Sequence, residues 1–204
     1  MSLRLPVRAR LPEPEAAPAW GYAQLAGRLA ELSAAADSAV LTVAFSLALD
    51  AQRDAEPVAW ITSPKGAFFP PDAAQAGIDL GAFVVVRVPD LLGMARAADQ
   101  LVRSGGFGLV ILDLISLTDV RRPQLSTASQ TRLAGLAQKH AAAVLVLTEK
   151  SAESPSQGSL VSLRAEARRT QWGPCLVEVR VLKDKRRGPG QIHVEACHAP
   201  PGLH

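Results

Sequence analysis

Aromatic side chains are scarce: three Trp, one Tyr and five Phe amount to 4% of the 204 residues. A chain of this length buries a sizeable core without staples, so that core is expected to consist mainly of Ala, Val and Leu. Two cysteines exclude a disulfide framework. No uninterrupted apolar stretch reaches the roughly 20 residues of a membrane span, and the N-terminus lacks the apolar run of a signal peptide. A soluble, cytoplasmic protein without membrane contact is expected. Charge of either sign is also sparse. The 22 Lys and Arg against 19 Asp and Glu leave a net +3, which neither marks nor excludes a nucleic-acid binder unless the basic residues cluster. No segment has the form GxxxxGK[ST], and no Ser–His–acid or Cys–His arrangement stands out. His193, Cys197 and His198 are close in sequence, but beside a Pro-containing tail they make a poor zinc set. Neither a metal nor a cofactor is expected.

What is present is a succession of buried strands and helices. Residues 1–20 mix Pro6, Pro12, Pro14 and Pro18 with scattered charge and read as an arm. Leu25, Leu29 and Leu32, then Leu41, Phe45 and Leu49, recur at helical spacing, with Ser38 as the expected cap of the second helix. Apolar runs at 57–62, 83–88, 107–113 and 143–148 lack alternation and are separated by helical stretches at 91–103 and 129–140. Such runs are parallel strands covered on both faces. Segments 160–169, 175–182 and 191–196 follow as antiparallel strands. In the middle one Val177, Val179 and Val181 alternate with Glu178 and Arg180. Residues 21–198 form one α/β domain, and 199–204 form a tail.

In an open α/β sheet, ligands bind beyond the carboxyl ends of the strands. That rule selects residues 63–66, Asp113 and residues 148–150. Asp113 ends an apolar strand, as a magnesium-holding Walker-B aspartate does, although a strand-end Asp also commonly caps the next turn. Basic residues collect later in the chain. Arg121, Arg122, Lys150, Arg164, Arg168, Arg169, Lys183, Lys185, Arg186 and Arg187 are candidates for a positive rim along a phosphate backbone. The competing reading is a solvated surface.

The order of these features resembles the ATPase core of the bacterial recombinase RecA. Gly27-Arg28 resembles the start of the strand before the recombinase phosphate loop, and Trp60-Ile61 its next strand. Gly77-Ile78-Asp79, Leu101-Val102-Arg103-Ser104-Gly105, Val110-Ile111-Leu112-Asp113, Arg132-Leu133-Ala134 and Val181-Leu182-Lys183-Asp184-Lys185 follow in the family's order. The resemblance spans about residues 27–196. It implies a RecA-like three-layer core with a mostly parallel central sheet and C-terminal antiparallel strands. It also makes residues 27–32 a strand, where Ala and Leu by propensity favour helix.

The departures from the RecA pattern are specific. Carried across, the phosphate loop covers residues 34–42. Its glycine positions hold Ala34 and Ala39, the lysine position Val40 and the magnesium-ligand position Leu41, while Asp37 adds negative charge. Pro64 stands near the place of the water-activating glutamate, and Glu149 near that of the nucleotide-sensing glutamine. Asp113 is then expected to persist as a structural cap. Lys183 and Lys185 match residues that reach a neighbour's nucleotide in the family. The segments matching the two DNA-binding loops, 116–129 and 150–160, are short. This combination resembles the ImuA group of bacterial mutagenesis-cassette proteins. That resemblance implies a non-catalytic accessory role in SOS-induced translesion synthesis, with an ImuB-type inactive Y-family protein and an error-prone DNA polymerase as partners, and DNA or a second copy as further ones. The alternatives are an atypical ATPase or nucleotide sensor using Asp113 with Lys183 or Lys185, and a RecA-like dimerisation scaffold or SulA-like cell-division regulator.

Overall fold

The computed structural model describes residues 20–34, 38–66, 68–171 and 175–197. All of the arm at 1–20 but Trp20, the whole tail at 199–204, His198 and Asp37 lie outside these. A four-residue helix, α1 (Tyr22–Leu25), leads through Gly27 into strand β1 (Leu29–Ala34). Gly27 takes φ +70, a left-handed conformation that suits glycine. All six residues of β1 are buried, because the strand lies between two others in the middle of the sheet. That burial overrides the helical preference of its Ala and Leu residues. The strand resemblance therefore holds, shifted two residues toward the C-terminus.

The remaining elements are α2 (Val40–Arg53), β2 (Val58–Thr62), α3 (Pro70–Gln75), β3 (Phe83–Arg87), α4 (Leu91–Ser104), β4 (Leu109–Asp113), α5 (Thr127–His140), β5 (Ala143–Glu149), β6 (Leu163–Gln171), β7 (Cys175–Asp184) and β8 (Ile192–Cys197). Eight strands form one sheet in the order β3-β2-β4-β5-β1-β6-β7-β8. From β3 to β6 every pairing is parallel, and only β6–β7 and β7–β8 are antiparallel. Two expectations change here. Segment 160–169 joins the parallel set, running alongside β1, and β3 is a half-exposed edge strand instead of a buried one. The cap of α2 is Ala39, which has no side-chain acceptor, although the Ser38 hydroxyl lies 3.4 Å from the Val40 amide.

Helices cover both faces of the sheet. Strand periodicity divides each central strand between two cores: Leu109, Ile111, Leu145 and Leu147 pack toward α2, whereas Val110, Leu112, Val144 and Val146 pack toward α4 and α5. Trp20 and Tyr22 are also buried in the core on the α2 side. Four aromatic residues, Phe45, Trp60, Phe68 and Phe83, form a single cluster with ring centroids 5.3–6.3 Å apart. The expected Ala/Val/Leu core is thus supplemented by one aromatic knot between α2, β2 and β3.

At the amino end of the sheet Arg28 and Asp184 form a buried ion pair at 2.6 Å. The guanidinium also donates to the Ser162 carbonyl at 2.6 Å and its hydroxyl at 3.0 Å, tying the starts of β1 and β6 to the end of β7. Burial pushes the Asp184 carboxyl up, but hydrogen bonds and charge from Arg28, together with the Arg186 and Arg187 amides, outweigh it and hold the carboxyl below its ordinary value. A depressed carboxylate contributes stability above its unfolded pKa and loses it as pH falls through the folded one. Asp184→Ala leaves a buried guanidinium unpaired and should cost on the order of 3–5 kcal/mol in urea unfolding at neutral pH. The deficit should shrink on acidification.

Candidate functional site

Parallel strands β2, β4, β5, β1 and β6 all end at one side of the sheet, and the candidate site is built there. Its centre is a residue that sequence reasoning passed over. Glu31, in the middle of β1, is fully buried. Its Oε1 lies 2.5 Å from Lys150 Nζ and accepts from the Thr148 hydroxyl at 2.9 Å. Its Oε2 accepts from the Gln157 backbone N–H at 2.9 Å and faces Arg164 Nε at 3.9 Å. Arg164 donates onward to the carbonyls of Ser151 (2.9 Å) and Ser154, and Lys150 donates to that of Pro155 at 2.7 Å. One carboxylate thereby gathers β1, β5, β6 and the 150–160 loop. Burial lowers the Lys150 ammonium pKa, with Glu31 acting against the shift and Arg164 adding to it. The one signal in the sequence was an acid inside the apolar strand Leu29–Ala34.

A second set of contacts joins the two loops. The Gln157 side chain accepts from the Leu125 N–H at 3.0 Å and donates to the Pro123 carbonyl at 2.8 Å. Gln124 and Gln130 both donate to the Gln157 carbonyl, at 2.8 and 2.9 Å. Gly158 sits so close to Gln130 that a Cβ would lie 2.2 Å from its Oε1. Between the loops opens a cavity of about 540 Å³. Apolar atoms of Leu114, Ile115, Val120 and Pro155 line it together with Thr148, Glu149, Lys150, Arg121 and Arg122. Both arginines are exposed, neither has a carboxylate partner among the described residues, and Arg122 is held at φ +55. Such left-handed non-glycine residues concentrate at functional sites.

The candidate basic rim is dispersed by the fold. Arg164 and Lys150 are committed to Glu31. Arg168 is paired with the buried Glu166 at 2.9 Å and bridges Ser38 near the start of α2, with Arg169 exposed beside it. Lys183 and Lys185 donate to the Gly158 and Ser159 carbonyls at 3.4 and 2.6 Å. Lys185, Arg186 and Arg187 occupy the turn after β7, where the Lys185 N–H meets the Ser162 carbonyl and Arg186 approaches Gly27. That turn is at the amino end of the sheet. Arg121, Arg122, Arg168 and Arg169 are at the carboxyl end.

Four of the positions matched to a phosphate loop, Ala34, Ala39, Val40 and Leu41, are apolar. Ala34, Ala39 and Val40 are buried in the core beneath α2, and Leu41 packs against it. Val40 and Leu41 bring neither a cation nor a hydroxyl to their positions. Asp113 is buried and its oxygens are engaged internally: Oδ2 accepts from the Thr62 hydroxyl at 2.9 Å and Oδ1 from the Ser116 N–H at 3.2 Å. Ser63 closes the cluster, its N–H donating to Ser116 Oγ and its hydroxyl to the Ser116 carbonyl, at 2.9 and 2.7 Å. The 63–66 turn then folds so tightly over Thr62 that a Cβ on Gly66 would lie 2.1 Å from the threonine oxygen. This donor set does not fit a magnesium–nucleotide group held in the RecA manner.

No family model matches the chain, and no curated protein sequence does. Solved structures do match. A crystal structure of the RadB recombinase superposes with a TM-score of 0.67 at 15% sequence identity, over 85% of this chain and 89% of that one. The chain has a RecA-like α/β fold. Among the described residues no helix is long and apolar enough to cross a membrane.

Burial raises the Asp113 pKa against the lowering hydrogen bonds from Thr62, Ser116 and neighbouring groups. A raised carboxyl favours folding at low pH, and the charge becomes a cost as pH rises through the folded pKa. Asp113→Asn keeps an acceptor for Ser116 and removes that cost. Its stability at pH 7 should equal or exceed that of the parent, whereas Asp113→Ala should lose about 1–3 kcal/mol. Denaturant titrations of both variants at pH 4 and pH 7 check the order.

Proposed function

We propose that this RecA-like protein is a non-catalytic accessory factor of SOS-induced translesion DNA synthesis. It works through contacts with an ImuB-type inactive Y-family protein and an error-prone polymerase, with DNA meeting the carboxyl-end cavity. The single observation that carries the reading is the self-satisfied Asp113 cluster beside an apolar helix start at Val40. Where nucleotide chemistry needs a free carboxylate and a cation, the carboxylate is consumed by Thr62 and Ser116 and the cation is a core valine. The choice of partners rests on the sequence resemblance to the ImuA group.

The DNA element of the reading rests on Arg121 and Arg122. They project at the mouth of a cavity that also offers apolar surface, a combination suited to a single strand with its phosphates on the rim and a base inside. Arg169, exposed beside the Glu166-paired Arg168, adds positive charge on the same end of the sheet. The amino-end turn at 185–187 is left out of this surface.

Reconstitution with the ImuB-type protein and the polymerase should yield a complex that co-elutes without added nucleotide. Failure to associate contradicts the accessory role, and hydrolysis of Mg-ATP abolished by Asp113→Asn would establish the atypical ATPase instead. For DNA, the double reversal Arg121→Glu/Arg122→Glu should weaken single-strand binding at least tenfold at low salt and reduce the log–log salt slope by roughly 1.5. Reversal of Arg186 and Arg187 should change neither by more than about twofold.

A further inference from the structure

The sheet ends on β8, which has β7 on one side and, among the described residues, no strand on the other. Its side chains alternate. His193 and Glu195 are half-buried on the face that carries Asp50 and Ser46 nearby, while Ile192 and Val194 stand on the opposite face at 55% exposure each. The edge lacks the lysine or proline that commonly blunts such strands. Glu195 adds a second anomaly. Its Oε2 is 3.7 Å from His193 Nε2 in the same strand, but its Oε1 is buried with no hydrogen-bond partner.

We propose that β8 pairs with β8 of a second copy of this chain, antiparallel about a two-fold axis with Val194 opposite Val194, joining the two sheets. An antiparallel edge opposes residues that share a face, which leaves three central registers. With His193 on the axis two imidazoles face each other, and with Glu195 on it two carboxylates do. With Val194 on the axis His193 of each copy faces Glu195 of the other, twice, and Ile192 faces Ala196. The exposed residues of the two copies merge into one apolar stripe across the joint. Two imidazoles or two carboxyl groups face each other in the other two registers, whereas this one sets each imidazole against a hydrogen-bonding carboxyl group and aliphatic against aliphatic. The interface is isologous, so it closes at two copies. A single six-residue edge pair buries less than a standard interface, so the dimer belongs to the small, reversible class of contacts. This proposal is independent of the translesion role.

Sedimentation equilibrium of the full chain from about 1 to 200 µM should show a reversible monomer–dimer equilibrium. Val194→Lys opposes two like charges on the axis and should remain monomeric throughout, with an unchanged circular dichroism spectrum. His193→Glu should weaken the dimer at least tenfold, and the swap His193→Glu/Glu195→His should restore it. A parent chain that stays monomeric, a Val194→Lys variant that dimerises normally, or a swap as weak as His193→Glu alone would overturn the proposal.

Discussion

A carboxylate in the middle of a buried parallel strand is the constraint around which the carboxyl end of this protein is arranged. Taking Glu31 out of water costs several kcal/mol unless it is paired and hydrogen-bonded. The compensation comes from four separate places in the chain: Thr148 at the end of β5, Lys150 just beyond it, the Gln157 amide within the loop and Arg164 on β6. None of these groups can leave without exposing the others to the same cost. The 150–160 loop is therefore clamped to the sheet by an interaction beneath it. Gln157 passes that constraint on to the loop after β4 through Pro123, Gln124, Leu125 and Gln130. The cavity that carries the functional proposal is the space between two loops fixed in this way.

The same economy governs the neighbouring Asp113 cluster. Here Thr62, Ser63, Asp113 and Ser116 satisfy one another, and the 63–66 turn packs over them. The carboxylates of Glu31 and Asp113 thus find their hydrogen-bond partners within the chain. What projects outward is a pair of arginines, without a carboxylate partner among the described residues, at a partly apolar opening, the surface proposed here for DNA. Recognition by such a surface depends on the rigidity of the loops that carry it, and this rigidity originates at Glu31.

Much of the fold was legible in the sequence because unbroken apolar runs such as 107–113 and 143–148 have one physical solution, a doubly covered parallel strand. The order of motifs located β1 against the local propensity of its Ala and Leu residues, and it located Asp113 as a cap. Two features of the sheet were not legible. The direction of β6 depends on its pairing with β1, a long-range contact that period-2 patterning does not encode, and the exposure of β3 follows from its place at the edge. The site was harder still. Glu31 and Gln157 are ordinary polar residues in sequence, and only the topology brings residues more than a hundred positions apart within 3 Å. Conversely Arg164 and Lys150 looked like surface cations because a count of charges does not reveal which of them face a buried acid. Lys185, Arg186 and Arg187 follow β7 closely, but the antiparallel turn carries them to the opposite end of the sheet.

Glu31 holds in place the two loops that carry the proposed surface. Amide hydrogen exchange in Glu31→Gln compared with the parent tests this most directly, because the substitution keeps size and removes the charge. Exchange should be faster at the Gln157 amide and across 150–160 and 117–127, with β2 and β4 as protected as before. Unchanged exchange in both loops, or a uniform acceleration that includes β2 and β4, would contradict it.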